Sequence, residues 1–130
     1  MISISVAHNE ARLQATLDFL NLGPAASKIK IYTSPRPANG AAITTQVMLT
    51  EITLDDPPGE VAANKLTLFQ IDDALILEGG DANWARVENG DGDHAMDCDC
   101  GDAASSAELK FVSVTLLEGG LARMTAAQFG

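Results

Sequence analysis

Basic residues are scarce in this chain: 8 Lys and Arg stand against 18 Asp and Glu, for a formal net charge of -10. A negative surface repels phosphate backbones, so direct DNA or RNA binding is not expected. The excess acid either keeps the protein in solution or faces a basic partner. Aromatic residues are also few, at 5%, which leaves no aromatic-rich sugar groove around a glycosidase-type carboxylate pair. Long apolar runs are missing. The longest, Ala74 to Leu77 and Val112 to Leu117, are strand-sized and far short of the ~20 residues that cross a bilayer. No membrane segment is therefore expected. Met1-Ile2-Ser3-Ile4-Ser5 has neither the basic start nor the apolar run of a secretory signal, so the chain is expected to stay in the compartment where it is made. The only cysteines, Cys98 and Cys100, are too close in sequence to reach disulfide geometry easily, and a reducing compartment suits them. Phosphate-cradling glycine motifs and the G-x-S-x-G nucleophile elbow are absent, and His8 and His94 are the only histidines.

What remains is enough to fold. With 130 residues, 46% hydrophobic and 20% charged, the chain fits one domain with a real core and no need of metal or disulfides. Ile2, Ile4 and Val6 alternate with Ser3 and Ser5 as in a short strand with one apolar face. Leu13, Leu17 and Leu20 then recur at helical spacing between Asn9, a possible cap, and the Gly23-Pro24 stop, which predicts one helix from about Asn9 to Leu22.

Beyond it the pattern is β. Strands are expected at Lys28 to Thr33, Thr45 to Leu54, Lys65 to Ile71, Ala74 to Leu77, Ala82 to Glu88, His94 to Cys100 and Glu108 to Leu117. Ser34 to Gly40, with two prolines, and Asp55-Asp56-Pro57-Pro58-Gly59 read as strand-ending loops. Turn signals roughly every 8 to 12 residues suggest a mostly β chain, an antiparallel β-sandwich or jelly-roll-like domain with one N-terminal helix. Residues 1–24 form the arm and helix, 28–117 the sandwich, and 118–130 a last strand or tail.

One segment invites chemistry. Asp91 to Asp102 holds five carboxylates, His94, Cys98 and Cys100. Zinc could take His94, Cys98 and Cys100 with Asp97 or Asp99 as a fourth ligand, although C-x-C lacks the usual C-x2-4-C spacing. Calcium would need further oxygens where His94-Ala95 stands. Strand alternation accounts for the same residues without a metal. It places His94, Met96, Cys98 and Cys100 on one face and Asp97 and Asp99 on the solvent face, after a Glu88 to Gly92 hairpin turn. No cofactor is expected. Trp84, the only tryptophan, shares a strand face with Arg86, and two roles fit it: a packed interior residue, or with Arg86 an interface anchor.

Four stretches resemble a known group: Ala11-Arg12-Leu13, the strand and loop Ile29 to Gly40, Met48 to Leu54, and Trp84-Ala85-Arg86-Val87. Over most of residues 11 to 117 the chain resembles small structural proteins encoded in the virion gene clusters of tailed bacteriophages and prophages. It departs from their usual small, uncharged residues at Asp97-Cys98-Asp99-Cys100. The resemblance implies a non-enzymatic virion protein, first of all a capsid decoration or cement protein that bridges major capsid subunits, and next a head-tail or tail-associated one. Its implied partners are the major capsid protein or other virion proteins, and further copies of itself in a homo-oligomer. Ile2, Ile4 and Val6 would then act as an assembly arm adding a strand to a neighbour, with Trp84 and Arg86 as further interface candidates. The rival reading is a small metal-binding or enzymatic domain using His94, Cys98 and Cys100.

Overall fold

A computed structural model describes residues 2–130. They form one helix, α1 (Val6–Leu20), and the strands β1 (Lys28–Tyr32), β2 (Met48–Ala62), β3 (Lys65–Gln70), β4 (Ala74–Leu75), β5 (Gly80–Asp81), β6 (Trp84–Glu88), β7 (His94–Asp102), β8 (Leu109–Phe111), β9 (Thr115–Leu116), β10 (Leu121–Ala122) and β11 (Ala126–Phe129). The expectation of a mostly β chain with one N-terminal helix holds. Its main sheet, however, closes into a barrel and is not clearly an open sandwich or a jelly roll. Seven strands close in the order β1-β2-β3-β11-β8-β7-β6, and closure removes the exposed sheet edges that a sandwich keeps.

Two connections make closure possible. β8 lies parallel to the end of β7, with Cys100 opposite Leu109 and Asp102 opposite Phe111, so the chain turns back by only two residue levels and needs no long crossover. β11 then inserts between β3 and β8, which makes the C-terminal segment a full stave of the barrel. The expected strand over Glu108 to Leu117 divides into β8 and β9.

The prediction that Asp55 to Gly59 ends a strand also needs correction. β2 runs through it with a register break: Leu54 pairs with Gln70 and Gly59 with Leu68. Pro57 and Pro58 have no N–H to give the ladder, so the pair bulges and then resumes. Gly59 is required where it resumes, because a Cβ there would run into the Thr67 carbonyl.

The helix starts earlier than its apolar spacing suggests. Ser5 is the cap, its hydroxyl accepting from the His8 N–H at 3.1 Å, so Val6 is the first helical residue and Ile2 to Ser5 lie outside any strand. The alternation of Ile2, Ile4 and Val6 is thus not a strand of this subunit. Its serines are the residue type that caps a helix best, and helix formers follow at once. Asn9, expected as the cap, instead donates to Asn64 Oδ1 at 2.7 Å, and Glu10 accepts from the Asn64 N–H at 3.1 Å. Ala63 and Asn64 both have positive φ, 52° and 63°, the geometry of a tight two-residue hairpin turn. The first turns of α1 therefore clasp the β2–β3 turn. Farther along, Leu17 and Leu20 enter the core, and α1 packs against β2, β3 and β7 at this end of the barrel. At the other end the two-stranded pairs β4–β10 and β5–β9 extend beyond the main sheet.

Candidate functional site

Register decides which side of the wall each residue faces. In β1, β6 and β7 the residues Ile29, Ile31, Ala85, Val87 and Cys98 belong to the aliphatic core. Their neighbours by alternation, Tyr32, Trp84, Arg86 and Asp97, stand on the outside and are linked as Tyr32–Trp84 and Arg86–Asp97 pairs across the strands. This outer face is nevertheless sealed, because the loop between β1 and β2 folds over it. Trp84 is 0% exposed, stacked on Tyr32 with ring centroids 4.7 Å apart, and its Nε1–H donates to the Thr33 carbonyl at 2.9 Å. The Arg86 guanidinium lies 5.3 Å from the Trp84 ring centroid, within cation–π range. The core reading of Trp84 prevails over the interface one, since a side chain with no exposed surface cannot meet a partner while the subunit stays folded.

Arg86 is buried as well and holds Asp97 in a fork, Nε to Oδ1 at 2.8 Å and a terminal nitrogen to Oδ2 at 3.1 Å. That same terminal nitrogen donates to the Ala41 carbonyl at 2.8 Å, and the Gly40 N–H donates to Asp97 Oδ2 at 3.2 Å. Asp97, expected to face water, has a side chain 0% exposed. Burial by itself raises its pKa. The Arg86 fork, the Gly40 amide and the His94 contact outweigh that and hold the carboxyl below its ordinary value. Arg36 ties the loop once more through Asp99 at 2.8 Å. Outside this cover Lys30 meets Glu88 at 3.0 Å, and that hydrogen bond raises the lysine's pKa against a smaller effect of burial.

The proposed zinc trio is split. A bulge between Val87 and Glu88 sets Val87 opposite Met96 but Glu88 opposite His94. The extra residue turns His94 to the outer face, where its Nε2 lies 3.1 Å from Asp97 Oδ1. Strict alternation puts His94 with the cysteines, and the bulge corrects that assignment. Cys98 is buried in the aliphatic core and Cys100 packs against it. Burial raises both thiols, that of Cys100 to about 12, which keeps them protonated at neutral pH. Among the described residues no three His, Cys, Asp or Glu side chains form a group able to hold a metal ion, and no helix is long and apolar enough to cross a membrane.

The uncovered apolar surface lies elsewhere. Ile2 is 89% exposed, and Ile4 and Val6 are exposed too. At the opposite end of the barrel an open cleft of ≈ 390 Å³ has Ile76, Phe111 and Leu116 among its lining, with Val112, Leu117 and Leu121 beside them. The last three are 88%, 71% and 65% exposed. Read as a single strand over Glu108 to Leu117, the sequence does not show this rim. A signal was present: Phe111-Val112 and Leu116-Leu117 are adjacent apolar pairs, and a strand that buries one member of such a pair must turn the other outward. No protein-family model, curated protein or solved structure matches the chain.

Proposed function

We propose that the protein is a non-enzymatic structural subunit of a tailed-bacteriophage particle, a capsid decoration protein that bridges neighbouring major capsid subunits on the virion. The observation that carries this reading is the collection of large apolar side chains left in water at one end of the barrel, Val112, Leu117 and Leu121 around the cleft. Contiguous exposed apolar surface of this kind marks an interaction site. The contacting ionisable side chains Arg86, Asp97 and His94 are engaged with one another and with the covering loop, an arrangement suited to holding a loop down. The resemblance of Ile29 to Gly40 and Trp84 to Val87 to virion proteins supplies the setting, and that loop and strand are the ones joined in the sealed outer face. A shell gains from many copies of a small bridging subunit, because weak contacts add by multivalency.

Mass spectrometry and electron cryomicroscopy of gradient-purified particles from the phage or lysogen encoding the chain test this. The expected result is many copies on the outer shell. Density confined to the portal or tail would move the protein to a head-tail or tail-associated role, and absence from purified particles would overturn the virion assignment.

A further inference from the structure

We propose that the chain assembles head to tail, the N-terminal segment Ile2 to Ser5 of one copy lying as an added strand in the cleft between β9 and β10 of the next. This rests on the reading of the protein as an assembly subunit and names its first partner as another copy of itself.

Three observations carry it. Ser5 is extended, the segment before it belongs to no helix or strand, and Ile2 and Ile4, two residues apart, are both in water; in a strand, side chains at that spacing point to one face. The cleft offers them apolar walls in Ile76, Phe111, Leu116, Val112, Leu117 and Leu121. Its flanking strands β9 and β10 each belong to a two-stranded pair, with β5 and β4 respectively, so each keeps an edge whose backbone can receive a strand.

The segment cannot serve its own subunit. α1 begins at the end of the barrel where Asn9 and Glu10 hold the β2–β3 turn, and the cleft lies beyond the far end of β3, where Gln70 donates to the Ala122 carbonyl at 2.9 Å. The six residues of β3 alone span ~20 Å at strand rise. The four residues Ile2 to Ser5 hold Ile2 within ~14 Å of Val6 even when fully extended, and they start from the wrong end. Donor and acceptor surfaces on opposite ends of one subunit make a heterologous contact, which closes into a ring or runs on as a filament.

Analytical ultracentrifugation of the full chain tests this with two variants at exposed positions: Ile2→Asp with Ile4→Asp, which breaks the arm, and Leu121→Asp, which breaks the cleft. Circular dichroism melts should match the wild type for both. The wild type is expected to form species of two or more chains as concentration rises, and each variant to stay monomeric. An equimolar mixture of the two should give a one-to-one dimer and stop there, because the pair holds one intact arm and one intact cleft. A wild type that is monomeric at every concentration, variants that associate as it does, or a mixture that stays monomeric would each overturn the proposal. Particle occupancy separates this from the virion reading. A chain that occupies particles but stays monomeric in solution at every concentration sinks the arm alone, whereas self-association by a chain absent from particles sinks the virion assignment alone.

Discussion

The inside and the outside of the β1–β6–β7 wall are built from the same strands, alternate residues going to each side, yet they are held by different forces. Inside, Ile29, Ile31, Ala85 and Val87, with Ile52 beside them on the adjoining β2, are buried without a charge among them, and non-directional apolar burial holds them together. Outside, Tyr32, Trp84, Arg86 and Asp97 are shielded only by the loop after β1, and they depend on stacking, directed hydrogen bonds and one buried ion pair. An aliphatic core of the first kind tolerates volume-conserving swaps. A sealed polar stack does not, because removing one member leaves another buried without its partner.

The largest expected effect comes from Trp84→Ala, which should cost about 3–5 kcal/mol in urea unfolding, the range for deleting a buried large aromatic. It also removes the face that Tyr32 and Arg86 share. A loss under about 1 kcal/mol would mean that the loop collapses onto the gap, and the outer stack would then be as adaptable as an aliphatic core.

Next comes the ion pair. Arg86→Met leaves the buried Asp97 with only the Gly40 amide and His94 beside it and should cost about 3 kcal/mol or more, whereas Arg86→Met with Asp97→Leu should cost less than that single change, since an apolar pair replaces an ionic one at smaller penalty. A double variant weaker than the single one would show that the Gly40 contact to Asp97, which only the double variant loses, dominates.

The two sides should also part in their response to pH. The Asp97 carboxyl is held below its ordinary value when folded. Its contribution is therefore full above the unfolded value of about 3.9 and is lost as pH falls through the lower folded value. The stability difference between wild type and Asp97→Asn should shrink as pH drops from 5 towards 2. Ile52→Val, on the inner side, should cost about 1 kcal/mol by the same amount at every pH. Parallel pH curves for the wild type and Asp97→Asn would remove Asp97 as the source of acid sensitivity.

The smallest effect expected is chemical. Burial pushes the Cys98 and Cys100 thiols up, so both should stay unmodified by a thiol reagent at pH 8 while the protein is native, and react once it is unfolded. Rapid native labelling of either would show that the inner wall opens on the timescale of the reaction.

Much of this wall was legible as sequence. Lys28-Ile29-Lys30-Ile31 and Trp84-Ala85-Arg86-Val87 alternate cleanly, and a period of two leaves little choice about which residues share a face. The site was less legible. Alternation sends Asp97 to water because it says which residues leave the interior, and says nothing of whether a loop will later cover them. His94 was placed on the wrong face because one inserted residue reverses the alternation, and a bulge has no strong composition signal. Ile2, Ile4 and Val6 carry a strand's pattern, but capping by Ser5 turns Val6 into the helix.

The sequence by itself determined the β content, the single helix and the alternation of Ile29 and Ile31 with Lys28 and Lys30, because side-chain period and turn chemistry are local properties. The tertiary structure alone decided that the sheet closes, that Gly40 and Ala41 reach Asp97 and Arg86, and that Val112, Leu117 and Leu121 end up in water around one cleft. Those outcomes depend on which distant segments meet, and pairings such as β3 with β11 or the loop at Gly40 with β7 join residues some sixty positions apart, well beyond the reach of any local pattern.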